Sequence, residues 1–270
     1  MKIPGSRLDL ERRIRTLLPE QYRDTYQTIE ARSMGSAALK YRSNGEVAWG
    51  EIWGSFCDLA MAGGPPHKGT LLRPGTPESI DAQPQGYNRI VAEICRGIAE
   101  AAKLNAGPSL HPGWIAVDCP DPASADWLAR AVTMENVSAR CEGKILFLPA
   151  GPAYRIEKEV KNVVTSIAKT CHYWFDHTSA SHRAEIAELT AAMSRIAPLL
   201  QPGWNSASED WIPAPMPSVA TAIWMMRAVV ACNVLARREG TTLLVARNSA
   251  IDPADARATA VLEQLSVYAL

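Results

Sequence analysis

The chain lacks a surplus of either charge: 28 Lys and Arg balance 28 Asp and Glu, and the pI is near 7. With no basic stripe it has no means of gathering a phosphate backbone, which argues against a nucleic-acid partner. It also lacks a long apolar run. The longest uncharged stretch near a helix, Trp211 to Met226, has 16 residues and is broken by Pro213, Pro215 and Pro217. That is too short and too interrupted to span a bilayer, so no membrane partner is expected. The first 20 residues interleave Arg7, Arg12, Arg13 and Arg15 with Asp9 and Glu11 and have no apolar core of the secretory kind, which points to a cytoplasmic protein. No Cys-x-x-Cys pair exists. The six cysteines, at 57, 95, 119, 141, 171 and 232, lie 22 or more positions apart, which rules out zinc-ribbon spacing and leaves reduced core thiols as the expectation. Gly-x-Ser-x-Gly, His-Glu-x-x-His and Gly-x-Gly-x-x-Gly are absent too, removing the commonest hydrolase, metalloprotease and dinucleotide fingerprints.

What is present is an internal match. Trp114 to Gly151 aligns without a gap to Trp211 to Asn248, 97 positions later, with 16 of 38 positions identical. Each copy reads as a short strand ended by proline (Pro120, Pro217), then a helix capped by Asp121 or Ser218 and running to Glu142 or Glu239. Gly143 or Gly240 then stands at the left-handed position after the helix, and an apolar strand follows from Lys144 to Leu148 or Thr241 to Val245. A strand, crossover helix, strand unit predicts parallel strands. Flanking helices are expected at Tyr87 to Leu104 and His182 to Leu200 before the units, and at Tyr154 to His172 and Pro253 to Ser266 after them. The fold class is therefore α/β: a duplicated helix-strand-helix-strand-helix unit about a pseudo-twofold axis, which leaves a homodimer open. Upstream come a helix from Leu8 to Ile29 and a β-hairpin turning at Asn44-Gly45, with Trp49 and Trp53 on one face of its second strand. The expected divisions are 1–85, 86–178 and 179–270.

Three groups of residues invite a chemical reading. In Gly63 to Thr70, after the apolar run Phe56 to Met61, prolines stiffen a loop in which Lys68 and the amides of Gly69 and Thr70 are suited to a phosphate or carboxylate. Between Cys171 and His182, His172, Asp176, His177 and His182 fall within 12 residues. On one helix a spacing of five sets imidazoles about 140° apart, so a shared divalent metal requires a helix break, with Ser179 or Ser181 capping the next helix. Thirdly, Arg130, Asn136, Arg140 and Glu142 recur as Arg227, Asn233, Arg237 and Glu239. Such a set either bonds helix ends or turns Arg130 and Arg227 toward an anionic ligand. The expected function is binding of a small anionic or metal-linked molecule between the repeats, with acid–base chemistry by His67 or His177. The alternatives are a non-catalytic accessory protein that docks a partner and a His-rich metal-binding protein.

Overall fold

The computed structural model describes residues 6–27, 38–54, 58–204 and 210–268. Their contacts divide the chain into a terminal unit (Met1–Ile29, Met61–Gly63 and His177–Leu270) and a central unit (Glu30–Ala60 and Gly64–Asp176). Residues 1–85 contribute to both units. The architecture is mixed α/β with two small antiparallel sheets. Among the described residues no helix is long and apolar enough to cross a membrane.

Helix α1 (Arg7–Leu17) belongs to the terminal unit; Ser6 accepts the Asp9 amide at its start, and it buries Leu10, Ile14 and Leu17. It stops twelve residues short of the expected Ile29, because Pro19 forces Leu18 into an extended conformation (ψ 148°). The central unit opens with a minimal hairpin, the Tyr41↔Val47 bridge closed over Gly45 at φ +84°. Beyond it Trp49–Gly54 is a 3-10 helix and not a strand. Trp49 is wholly buried, with its indole N–H on Glu93 at 2.8 Å, while the Trp53 side chain and the Phe56-Cys57 part of the apolar run lie outside the described residues. After a loop come α2 (Pro77–Ala82), α3 (Pro84–Ala101), β1 (Asn105–Pro108), β2 (Trp114–Asp118), α4 (Pro122–Met134), β3 (Arg140–Glu142) and β4 (Ile145–Pro149). A single π-helical turn, Ile156–Val160, then leads into α5 (Lys161–Asp176). The sheet order is β1-β2-β4-β3. Its core is aromatic: Trp114, Trp127 and Trp174 are buried, the last two with ring centroids 5.1 Å apart.

The terminal unit continues with α6 (Ala180–Ile196), β5 (Trp211–Pro215), α7 (Val219–Val230), β6 (Ala236–Glu239), β7 (Thr242–Ala246) and α8 (Ala256–Ser266), its sheet ordered β5-β7-β6. All the pairings there but Ala236↔Val245 reproduce one in the central unit at the 97-residue offset: Trp114↔Pro149 becomes Trp211↔Ala246, and Arg140↔Phe147 becomes Arg237↔Leu244.

The strands are antiparallel, which corrects the parallel crossover expected from sequence. The helices end eight or nine residues early, at Met134 and Val230, and the residues that take positive φ next are Asn136 (+59°) and Asn233 (+62°). Asparagine tolerates that region at small cost. The chain beyond each asparagine then forms an extra strand, β3 or β6. Gly143 (+57°) and Gly240 (+58°) begin two-residue hairpin loops, a place where positive φ is also required. An added strand between helix and final strand reverses the final strand's direction. The expected caps are in place: Asp121 accepts the Ser124 amide at 2.8 Å, and Ser218 accepts the Thr221 amide at 3.1 Å.

Candidate functional site

In the central unit the chemistry gathers where α4 ends. Glu135 is the residue after the last turn of α4 and is fully buried. Its carboxylate accepts the backbone amides of Ala60 (2.9 Å) and His67 (3.1 Å), and the Lys169 ammonium on α5 lies 2.8 Å away, itself 2 % exposed. An ionised carboxylate removed from water is costly unless its lone pairs are met, and here two N–H donors and one cation meet them. The neighbouring Asn136 completes the anchor by donating its side-chain amide to the Lys68 carbonyl at 2.8 Å. Two consecutive residues thus hold Ala60, His67 and Lys68 by their backbone. Gly64 is obligatory between them, since a Cβ would stand 2.1 Å from the Asp58 carbonyl oxygen. Leu72 then pairs in parallel with Val137, donating to the Asn136 carbonyl at 2.7 Å.

The pinned loop presents His67 and Lys68. The His67 Nε2 is buried without a hydrogen-bond partner, as are the hydroxyls of Ser166, Thr133 and Ser138; Ser166 stands one turn before Lys169 on α5. Burial pushes the His67 imidazole down to about 4; the charges of Lys169 and Lys161 push the same way, and Glu135 opposes them. The ring is therefore neutral at neutral pH, which corrects the expectation of a group titrating there. Lys68 faces Glu159 at 3.8 Å, and the same carboxylate has Arg155 at 3.4 Å and Lys158 at 3.9 Å. Burial raises the Glu159 carboxyl, but the Arg155 amide and guanidinium, with Lys68, outweigh it and hold the group below its ordinary value. Glu159 sits in the π-helical turn, a local geometry frequent at functional sites. Gly69 and Thr70 are exposed beside the loop.

The arginines expected to face a ligand are otherwise engaged. Arg130, fully buried, makes a two-pronged bond to Asp126 one turn back, at 2.8 and 3.0 Å. Arg227 donates to the carbonyls of Met61 (2.7 Å), Tyr26 (2.9 Å) and Ala62, and lies 5.1 Å from the Tyr26 ring centroid. Burial lowers its pKa to about 10, so it still carries its charge. Of the other recurring residues, Asn136 lies just beyond α4 and Arg140 in β3.

The four expected metal ligands are likewise not brought together: among the described residues no group of three or more His, Cys, Asp or Glu is placed to hold an ion. His172 and Asp176, one turn apart on α5, pair at 2.6 Å. His182 is buried near the start of α6, capped by Ser179, and its Nε2–H donates to the Thr16 carbonyl at 2.7 Å. Burial lowers the His182 pKa, and the Thr16 bond opposes that shift. His177 is half-buried just beyond α5. Among the described residues Cys95, Cys119, Cys141, Cys171 and Cys232 are free; Cys119, Cys171 and Cys232 are buried and Cys95 and Cys141 partly so, and burial pushes Cys119, for one, up to about 12.

Sequence reasoning missed Glu135, Lys169 and Glu159. Two signals existed. Lys169 is the only Asp, Glu, Lys or Arg between Lys161 and Asp176, and Glu135 aligns with Cys232 in the matching segment. Comparison with family models, with curated proteins and with solved structures finds no match for this chain.

Proposed function

We propose that the central unit binds a small anionic molecule at the His67–Thr70 loop, with Lys68 as its principal contact and the Gly69 and Thr70 amides beside it. The carrying observation is an excess of positive charge around that loop. Lys68, Arg155 and Lys158 converge on the single carboxylate of Glu159, and Lys161 and Lys169 act on His67 while Glu135 alone opposes them. Lys68 and Glu159 are part-buried while Arg155 and Lys158 are exposed, and cations that outnumber carboxylates there favour an anion entering from solvent. Glu135, Asn136 and Lys169 are positioning residues that fix the loop backbone, and His67 serves as a neutral hydrogen-bonding group. We further infer that the two matching segments arose by internal duplication, and that the polar core belongs to the central copy alone.

The test is calorimetric titration with inorganic phosphate and with citrate. Saturable binding that weakens tenfold or more in Lys68→Met and several-fold in Lys158→Met, with Arg12→Met unchanged, is the expected pattern. Equal affinity in the wild type and in the double variant His67→Gln/Lys68→Met would sink the proposal.

A further inference from the structure

A second feature of the central unit uses none of these residues. A cleft of about 400 Å³ opens between the end of α3 and one face of α5. Ala168, Cys171, His172, Phe175 and Asp176 line it from α5, and their spacing of three, one, three and one is that of a single helix face. Leu104 and Pro120 contribute to the opposite wall, and the space exists because Ala101, Ala102 and Ala168 are small. Lys103 takes a left-handed conformation (φ +58°) as the chain leaves α3. Phe175, 39 % exposed, is one of the few large apolar side chains left to solvent.

The polar groups are confined to the rim. Asp176 takes the His172 Nδ1 on its Oδ2 at 2.6 Å, and its second carboxylate oxygen is a further acceptor. Lys103 and Asp176 contribute one charge of each sign, so the rim gives no preference to an ion. The volume is at the small end of ligand pockets, enough for one substituted ring.

From the cleft and its acidic acceptor together we propose a binding site for a small neutral molecule with an apolar ring or short chain and one hydroxyl group, the ring against Leu104 and Phe175 and the hydroxyl donating to Asp176. The site is independent of the anion site proposed above and stands or falls separately.

Calorimetry on the whole chain with 4-ethylphenol, ethylbenzene and phenethylammonium tests it. The first is expected to saturate with a Kd on the order of 0.1–1 mM, and ethylbenzene to bind about three- to tenfold more weakly for want of one hydrogen bond. Asp176→Ala should bring 4-ethylphenol to the level of ethylbenzene. Ala102→Leu should abolish binding of both by filling the space, with thermal melting confirming that each variant is folded. Absence of saturable 4-ethylphenol binding, equal affinity for ethylbenzene, tighter binding of phenethylammonium, or undiminished binding in a folded Ala102→Leu variant would each overturn the proposal.

Discussion

Where α4 ends in the central unit, a carboxylate is buried on an ammonium; where α7 ends in the terminal unit, the corresponding position is Cys232, a buried thiol with Arg13 and Arg257 near it and no carboxylate of its own. The contrast extends along the segment. At the 97-residue offset Thr133, Ser138 and Asp126 of the central unit correspond in sequence to Val230, Leu235 and Ile223 of the terminal unit. Yet the backbones agree: left-handed Asn136 and Asn233 each donate a side-chain amide at 2.8 Å, to Lys68 and to Ala197, and Leu72 and Leu200 make the same parallel bridge beside them. The path of the chain is therefore set by the asparagine cap, the hairpin glycine and the apolar strands, and it tolerates either a polar or an apolar filling. The arginines teach the same lesson. Arg130 has Asp126 one turn away; Arg227 has Ile223 there and bonds to three backbone carbonyls.

Transplanting residues between the two matching segments tests this directly. Glu135→Cys, which imports the terminal residue, strands the Lys169 ammonium in the core and should cost about 3–5 kcal/mol by urea unfolding. Adding Lys169→Met should restore much of that loss; if the single variant is as stable as wild type, the buried pair is not ionised.

The next effect is one of pH. His67 has a folded pKa of about 4, below the ordinary 6.5, so the unfolded chain binds more protons between those values and stability falls as pH drops from about 6.5 to about 4. His182, also lowered, contributes in the same direction. Up to about 3 kcal/mol is at stake at His67, and His67→Gln should flatten the unfolding profile in that window. An unchanged slope would mean that the imidazole is not desolvated.

Arg227→Met leaves three carbonyls short of a donor and should destabilise by about 2–3 kcal/mol. Adding Ile223→Asp in the same background should not rescue it, because the new carboxylate has no arginine to pair with and the carbonyls stay unmet. The smallest effect sharpens the comparison most. Asn136→Ala and Asn233→Ala should each cost about 1–2 kcal/mol, through a strained left-handed alanine and a lost bond. A gap between them wider than about 1 kcal/mol would show that the shared cap geometry does not carry equal weight in the two units.

Several features were legible before any coordinates. The caps Asp121, Ser218 and Ser179, the hairpin at Gly45 and the pairing of helices with strands follow from local chemistry that acts over three or four residues. The helix ends were not legible, because Gly143 and Gly240 offer the stronger left-handed signal, while Asn136 and Asn233 take that role only with Lys68 and Ala197 carbonyls in reach. Among candidate site residues, His67 and Lys68 were singled out by their loop, but nothing near them in sequence shows that Glu135 and Lys169, 67 and 101 positions beyond Lys68, hold that loop in place.

The sequence by itself determined the mixed α/β character, the 97-residue correspondence and its caps, because period, capping residues and turn glycines act locally. Only the tertiary structure decided that the strands run antiparallel, that Arg130 and Arg227 bond to the protein itself, that His67 is neutral, and that one of two like segments carries a buried ion pair. Each of these depends on partners distant in the chain or on removal from water, and a charge, a donor or a strand direction acquires its meaning only when the groups around it are fixed in space.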